Sequence, residues 1–338
     1  MKAVGFNRPL PIDHPEALVD LELPDPEYGQ HDLLVDVQAI AVNPVDTKVR
    51  ASATPAEGNW RIPGWDAAGK VVAVGAAVRG FQPGDRVFYA GALDRPGSYA
   101  QRQAVDARIA AHAPASLGDE DAAALPLTAL TAWETLFDRL KVAELVAGGT
   151  RAIVILGAAG GVGSMAIQLV RALTDLTVIA TASRPESVAW VRQMGAHHVI
   201  DHRKPLAPQV EALGLGAPAF VFSTNQTQDC LADIARFIAP QGRMALIDDP
   251  QGLDIMPLKS KSVSVHWEFM FTRPLFCTAD IARQQEILQQ VAQLAKQGKI
   301  VSTRRQSLGA INAANLRKAH ALLESGQSIG KVTLAGFA

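Results

Sequence analysis

The stretch Ile155-Leu156-Gly157-Ala158-Ala159-Gly160-Gly161-Val162-Gly163-Ser164 has the residue types of a phosphate-binding turn. A dinucleotide site needs a sharp turn, a place where backbone can touch pyrophosphate, and close packing of a strand on a helix. The helix amino terminus then presents unpaired N–H groups to the phosphates. Ala158 stands where the usual first glycine of G-x-G-x-x-G would be, and Gly160 and Gly163 fill the other two places. Gly160, Gly161, Val162 and Gly163 are therefore expected to hold a dinucleotide cofactor. The end of the next apolar run, Thr181-Ala182-Ser183-Arg184, bears on which one. An Asp or Glu there would bond the bare ribose hydroxyls of NAD. Ser183 and Arg184 are donors suited to a 2′-phosphate, and no carboxylate is present to repel it. The expected cofactor is NADPH.

The elements that must position this turn follow from the apolar pattern. Residues 152–156 form a continuous apolar run, as in a strand buried on both faces. A helix is expected over 164–173 and a strand over 176–182. Pro185 then opens a helix that Gly195 stops. Further strands are expected at 198–200, 219–222, 243–247 and 263–271, with helices at 205–213 and 227–237 between them. Strands alternating with helices mean a parallel, doubly wound sheet. The long uncharged run from Ala152 to Val170 is interrupted by four glycines, at 157, 160, 161 and 163, and reads as strand, turn and helix rather than as a membrane span.

The first part, to about residue 126, is β-rich, with short strands expected at 34–42, 70–75, 86–89 and 98–107 and a Pro83-Gly84 turn between them. After the parallel sheet come helices over 280–297 and 317–324 and a strand over 330–334. These have little core of their own and are expected to pack back on the first part. The 338 residues suit about two domains. A net charge of -1 gives no general attraction to nucleic acid or to an anionic membrane. Only two cysteines, Cys230 and Cys277, are present, which excludes a disulfide scaffold and a four-cysteine zinc site. No targeting segment is read at the amino terminus, and a soluble, cytoplasmic protein is expected.

Six ordered stretches resemble one family. They are Asn43-Pro44-Val45-Asp46, Pro63-Gly64-Trp65-Asp66-Ala67-Ala68-Gly69, Pro83-Gly84-Asp85-Arg86-Val87, Leu125-Pro126-Leu127-Thr128-Ala129-Leu130-Thr131-Ala132, the glycine turn, and Ile329-Gly330-Lys331-Val332. The sequence resembles the medium-chain dehydrogenase/reductase superfamily, in its zinc-free quinone oxidoreductase (zeta-crystallin-like) branch. The resemblance implies an α/β protein with a GroES-like β-rich catalytic domain at 1–126, a Rossmann NADPH-binding domain at 127–272, and a segment at 273–338 that completes the catalytic domain. It also implies a homodimer joined near the last Rossmann strand.

Zinc-dependent members carry Cys and His-Glu where this chain has Asn43 and Trp65-Asp66, so no catalytic metal is expected. By resemblance Asn43 lies near nicotinamide and substrate, where its amide would donate to a substrate oxygen as charge develops. Asp46 would support the cofactor or close a turn. Thr131 matches a threonine on the nicotinamide phosphate side, and His202 falls beside the adenosine. Lys331 would reach the cofactor from the terminal segment. Relatives often carry Lys where this chain has Ser187, and Arg184 or Arg203 would replace it. Trp60, Trp65, Tyr89, Trp133, Trp267 and Phe271 are candidate lining residues for a planar acceptor. Tyr89, which ends a strand just before Gly91, is the candidate proton donor. The implied activity is hydride transfer to a quinone or an α,β-unsaturated carbonyl. A carbonyl or alcohol oxidoreductase, and a non-catalytic NADPH-binding protein, are the alternatives.

Overall fold

The computed structural model describes residues 1–337. It divides into two units, one made of Met1–Leu130 with Phe271–Ala338 and the other of Thr131–Met270. In chain order the first unit begins with strands β1 (Lys2–Gly5), β2 (Val19–Glu22) and β3 (Asp32–Val42), then helix α1 (Pro44–Ser52). Strands β4 (Asp66–Val74), β5 (Arg86–Tyr89), β6 (Arg102–Asp106) and β7 (Ala110–His112) follow, with helices α2 (Asp119–Ala123) and α3 (Pro126–Trp133). A π-helical stretch, Glu134–Arg139, continues directly from α3.

The second unit carries β8 (Thr150–Leu156), α4 (Gly161–Leu173), β9 (Thr177–Thr181), α5 (Pro185–Gln193), β10 (His198–Ile200) and α6 (Leu206–Ala212). It goes on through β11 (Pro218–Ser223), α7 (Thr227–Phe237), β12 (Arg243–Leu246) and β13 (Ser264–Trp267). The chain then returns to the first unit with α8 (Thr272–Leu275), α9 (Arg283–Lys296), β14 (Arg304–Ser307), α10 (Ala313–Glu324) and β15 (Lys331–Ala335).

In the second unit six strands lie in the order β10-β9-β8-β11-β12-β13, and every pairing is parallel. This is the doubly wound order, whose direction of winding reverses beside the central first strand, β8. Val154, Ile179, Val221, Ile234 and Met244 lie in its core. The expected strand over 263–271 is shorter, Ser264–Trp267.

The first unit is built on a sheet in the order β14-β15-β3-β4-β5-β7, with β6 also pairing β3. Phe6, Leu33, Ile40, Tyr99 and Leu334 belong to its core. Strand β3 is central, and its register decides what meets at its end. Ala41 faces Asp66 on β4, and Val42 faces Val332 on β15. Asn43, Asp66 and Lys331, far apart in sequence, are thus delivered to one corner of the sheet. Of the expected strand over 98–107, Arg102–Asp106 is regular, and Tyr99 instead pairs its N–H with Pro63 O in the facing loop. Gly64 permits this: its φ is +90°, and a Cβ there would stand 2.2 Å from the Tyr99 ring. No helix among the described residues is long and apolar enough to cross a membrane.

Candidate active site and cofactor site

The Asn-Pro-Val-Asp stretch folds as a helix start, not as a plain turn. Asn43 is the N-cap of α1, Pro44 takes the first helical position, and Asp46 the third. The backbone N–H of Asn43 donates to Asp46 Oδ2 at 2.9 Å. This is the acidic half of a capping box, with Pro where its missing N–H costs nothing.

Around that helix start lies a buried polar network within the first unit. Lys331, 3% exposed, donates from Nζ to Asp66 Oδ2 at 3.0 Å, to Val42 O at 2.9 Å and to Asn43 Oδ1. The Asn43 amide donates to Asp66 Oδ2 at 2.8 Å and to Ala41 O at 3.1 Å. Asp66 Oδ1 accepts the backbone N–H of Leu127 at 2.7 Å. On the other side Tyr99 donates its hydroxyl to Asp46 Oδ2 at 2.9 Å and lies 3.1 Å from His320 Nε2. Asp46 Oδ1 and His320 Nδ1 are buried without a hydrogen-bond partner.

Burial governs the protonation of these groups. It pushes the Asp46 carboxyl up to about 7, against the opposing pull of the Asn43 N–H, Lys331 and Tyr99. It also pushes Asp66 up, although Lys331, Asn43 and the Leu127 N–H oppose it. Burial, with a smaller contribution from Arg50, drives His320 down to about 3, so its ring is neutral. Two carboxyls and one ammonium share a dry interior, which favours one protonated carboxyl.

The structure thus brings Asn43, Asp46 and Lys331 together, and Asp66, Tyr99 and His320 join them. The signal for Asp66 lay in the Pro63–Gly69 stretch. Tyr99 and His320 carry no local motif, because only the tertiary register makes them neighbours.

Tyr89 is fully buried, and its hydroxyl has no hydrogen-bond partner. Burial raises its pKa, so the phenol stays protonated. Of the candidate lining aromatics, Trp65 and Phe271 meet edge-to-face with ring centroids 6.0 Å apart, and Trp65 Nε1 donates to Ala92 O at 2.9 Å. Trp133 is buried with Nε1 unpartnered. Trp60 and Trp267 are exposed, at 39% and 58%.

In the second unit the glycine turn lies at the carboxyl end of β8 and opens α4, with Gly160 as N-cap. Gly157 has φ +65°, and a Cβ there would meet Thr224 Oγ1 at 2.2 Å. A Cβ on Gly163 would come within 2.5 Å of Ala158 Cα. Gly160 has only Gly157 O near, at 3.4 Å, so backbone there stays open to a ligand. Thr181 Oγ1 accepts the Gly157 N–H at 3.0 Å and ties the turn to the end of β9. Ser183 Oγ lies 3.1 Å from His202 Nε2, and Arg203 donates to Ser183 O at 3.1 Å. Arg184 caps α5, where Ser187 Oγ accepts its N–H at 3.1 Å. Ser187 is buried. This set fits a dinucleotide, with the turn and the α4 amino terminus for pyrophosphate and Ser183, Arg184 and His202 beyond β9 for the adenosine side. Thr131 is buried at the start of the second unit, where its carbonyl accepts from Thr135 Oγ1 at 2.7 Å.

Comparison with known proteins agrees with both units. Residues 29–115 match the alcohol dehydrogenase GroES-like domain and residues 161–283 the zinc-binding dehydrogenase family. The chain is 37% identical over 338 residues to a zinc-type alcohol dehydrogenase-like protein of Staphylococcus epidermidis, covering 99% of each. It is 36% identical over 187 residues to a 2-methylene-furan-3-one reductase of Solanum lycopersicum, covering 53% of this chain and 47% of that one. The crystal structure of a putative zinc-dependent alcohol dehydrogenase protein from Rhizobium etli superposes with TM-score 0.98 at 56% identity, covering 100% of this chain and 98% of that one. The chain belongs to the medium-chain dehydrogenase/reductase superfamily, among the zinc-type alcohol dehydrogenase-like proteins.

The zinc in those names calls for a test against the residues present. Zinc takes about four Cys, His or carboxylate ligands in a tetrahedron. Among the described residues no group of three or more His, Cys, Asp or Glu side chains is placed to hold a metal ion. Asn43 and Asp66 both bond the Lys331 ammonium, and Trp65 gives its indole N–H to a carbonyl. This donor set does not fit a catalytic zinc.

Proposed function

We propose that the protein is an NADPH-dependent, zinc-independent oxidoreductase that reduces a quinone or an α,β-unsaturated carbonyl. The observation that carries the cofactor reading is the end of β9. Ser183 and Arg184 stand there without a carboxylate of their own, and Arg203 is fastened to the Ser183 carbonyl. Asp201, just after β10, is occupied by Arg203 through contacts of 3.1 and 2.9 Å. When bound, NADPH supplies the hydride, and the protein supplies position and electrostatics.

In this reading Gly160, Gly161, Val162 and Gly163 hold pyrophosphate, and Ser183, Arg184 and His202 hold the 2′-phosphate side, with Thr131 serving the nicotinamide side. Asn43 is a positioning residue, because both its amide hydrogens and its carbonyl are spent on Ala41, Asp66 and Lys331. Asp46 and Lys331 act with it, fixing the start of α1 and the joint of β3, β4 and β15. Tyr89 is the candidate donor to the acceptor oxygen. A phenol held protonated by burial gives a hydrogen bond more readily than a proton, so the proton itself comes from solvent. The acceptor class is supported by the partial match to an enzyme whose substrate name describes a ring ketone with an exocyclic methylene.

A homodimer is part of the same proposal. β13 ends the sheet order with one edge unpaired by any described strand. Trp267 at its end and Phe269 just after it are exposed at 58% and 46%. Exposed apolar edge strands invite pairing with a second copy.

Titrating NADPH and NADH into the purified protein tests the cofactor reading. NADPH should bind about ten- to a hundredfold tighter, as one charge-assisted bond is worth about 1.5–3 kcal/mol and each 1.4 kcal/mol is about tenfold. Equal or tighter NADH binding refutes it.

A further inference from the structure

Parallel pairing of β10 with β9 sets Ile200 beside Thr181, so the residues that follow each strand also come together. Ser183 Oγ and His202 Nε2 are 3.1 Å apart. Arg203 spans the same place, its guanidinium held by Asp201 while it donates to Ser183 O. Arg184 follows Ser183 directly and opens α5. The charged groups facing the imidazole are Arg203 and Arg184, which disfavour its protonation, and Asp201, which favours it. Burial adds to the two arginines and leads the net effect, which holds the ring below the usual histidine range and therefore neutral near pH 7.

We propose that His202 takes up a proton from solvent when the cofactor's 2′-phosphate binds, which makes His202 a specificity-determining residue through its protonation state. The inference rests on the NADPH reading above. With its ring proton on Nδ1, a neutral His202 in the free protein accepts the Ser183 hydroxyl proton at Nε2. A phosphate needs donors, and Ser183 can turn its O–H toward it only if Nε2 no longer requires that proton. A protonated His202 donates Nε2–H to Ser183 Oγ instead, and the hydroxyl hydrogen is released for the phosphate. A dianion close to Arg184 and Arg203 also offsets the two cations that hold the ring neutral. The balance is simple: imidazole and one solvent proton become imidazolium, and no bond of the cofactor changes. NADH, without the phosphate, provides none of this.

The test is calorimetric titration of the whole protein with NADPH and with NADH. It is run at about pH 7.5 in two buffers of different ionisation enthalpy, so that the difference in heat counts protons. Above pH 7 the phosphate is already mainly a dianion, its second pKa being about 6, and any loss of its last proton would have the opposite sign. NADPH should bind with net proton uptake and NADH with none. NADPH affinity should rise about two- to fivefold per unit fall in pH between about pH 8.5 and 7, where full coupling to one proton would give about tenfold. His202→Gln keeps a hydrogen-bonding partner for Ser183 but cannot titrate, so the uptake should vanish while part of the NADPH preference remains. A preference for NADPH without proton uptake, or uptake that persists in His202→Gln, overturns this inference alone. No preference for NADPH overturns it together with the cofactor reading.

Discussion

The ammonium of Lys331 lies 3.0 Å from Asp66 Oδ2, with the two side chains 3% and 0% exposed. Zinc-dependent members of the superfamily carry the acid of a His-Glu pair at the Asp66 position. In this chain a lysine from the last strand supplies the positive charge beside that acid. An ammonium nitrogen has no vacant orbital, so it cannot act as a Lewis acid toward an alcohol or carbonyl. It can fix the geometry of the surrounding backbone, which is the role the contacts to Val42 O and Asn43 Oδ1 describe.

Removing one partner of this pair should therefore be costly. Lys331→Met leaves the buried Asp66 carboxylate without its counter-charge and the Asn43 amide oxygen without its lysine donor, and a broken buried pair costs about 3–5 kcal/mol. Urea unfolding should show a loss of that size. The double variant Lys331→Met with Asp66→Asn should regain more than half of it, because the orphaned charge is gone. A loss below about 1 kcal/mol for the single variant would show that the pair contributes little.

Asp46 and His320 give stability a pH dependence of opposite signs. Asp46 has a folded pKa of about 7 against 3.8. The folded state binds the extra proton between those values, so this group's contribution is full below about pH 3.8 and is lost as pH rises through 7. His320 has a folded pKa of about 3 against 6.5. Its contribution is full above about pH 6.5 and is lost as pH falls toward 3. Asp46→Asn isolates the two. Relative to the unaltered protein the variant should gain thermal stability progressively from pH 4 to pH 8, by up to about 3–4 kcal/mol. A pH-independent difference between the two proteins would refute the assignment.

Cofactor choice should follow the end of β9. Arg184→Ala should weaken NADPH about tenfold and leave NADH nearly unchanged, since one charge-assisted bond is lost. Ser183→Asp should reverse the preference, because a carboxylate bonds the bare ribose hydroxyls and repels the phosphate. Fluorescence titration of both cofactors into each variant checks this, and an Arg184→Ala variant that still discriminates fully would exclude Arg184 as the reader.

The exposed edge of β13 should carry the subunit contact. Replacing Trp267 and Phe269 with lysine puts charge on an edge that pairing would bury. Light scattering on the eluting protein should report a dimer for the unaltered chain and a monomer for the double variant. A monomer in both cases, or a dimer in both, removes this edge from the account.

The parallel sheet was legible in the sequence because its central strands at 152–156 and 219–222 were continuous apolar runs and helix α5 had a marked start and stop in Pro185 and Gly195. The glycine turn was legible for the same reason, since a strand and a helix framed it. The helix at Asn43 was not recognised, although Asn-x-x-Asp with Pro between is a capping signature. It was hidden by an expected turn after Pro44. Strand β2, Val19-Asp20-Leu21-Glu22, alternates apolar and polar residues over only four positions, too few to stand out, and the Glu134–Arg139 π-helix continues α3 without a start of its own. The bonds of Lys331 to Asp66 and Asn43 depend on antiparallel pairing of β15 with β3, a register that no local pattern encodes. The Ser183–His202 contact likewise depends on β9 and β10 lying side by side.

Metal-independent reduction with NADPH is the activity proposed for this protein. It is tested most directly by following NADPH and NADH absorbance with chelator-treated protein across a panel of quinones, enones, aldehydes and alcohols. The expected result is turnover with at least one quinone or enone, a kcat/KM about ten- to a hundredfold higher with NADPH than with NADH, and no change on adding zinc. Turnover confined to alcohols or simple aldehydes and restored only by zinc would contradict it, as would no turnover with any acceptor.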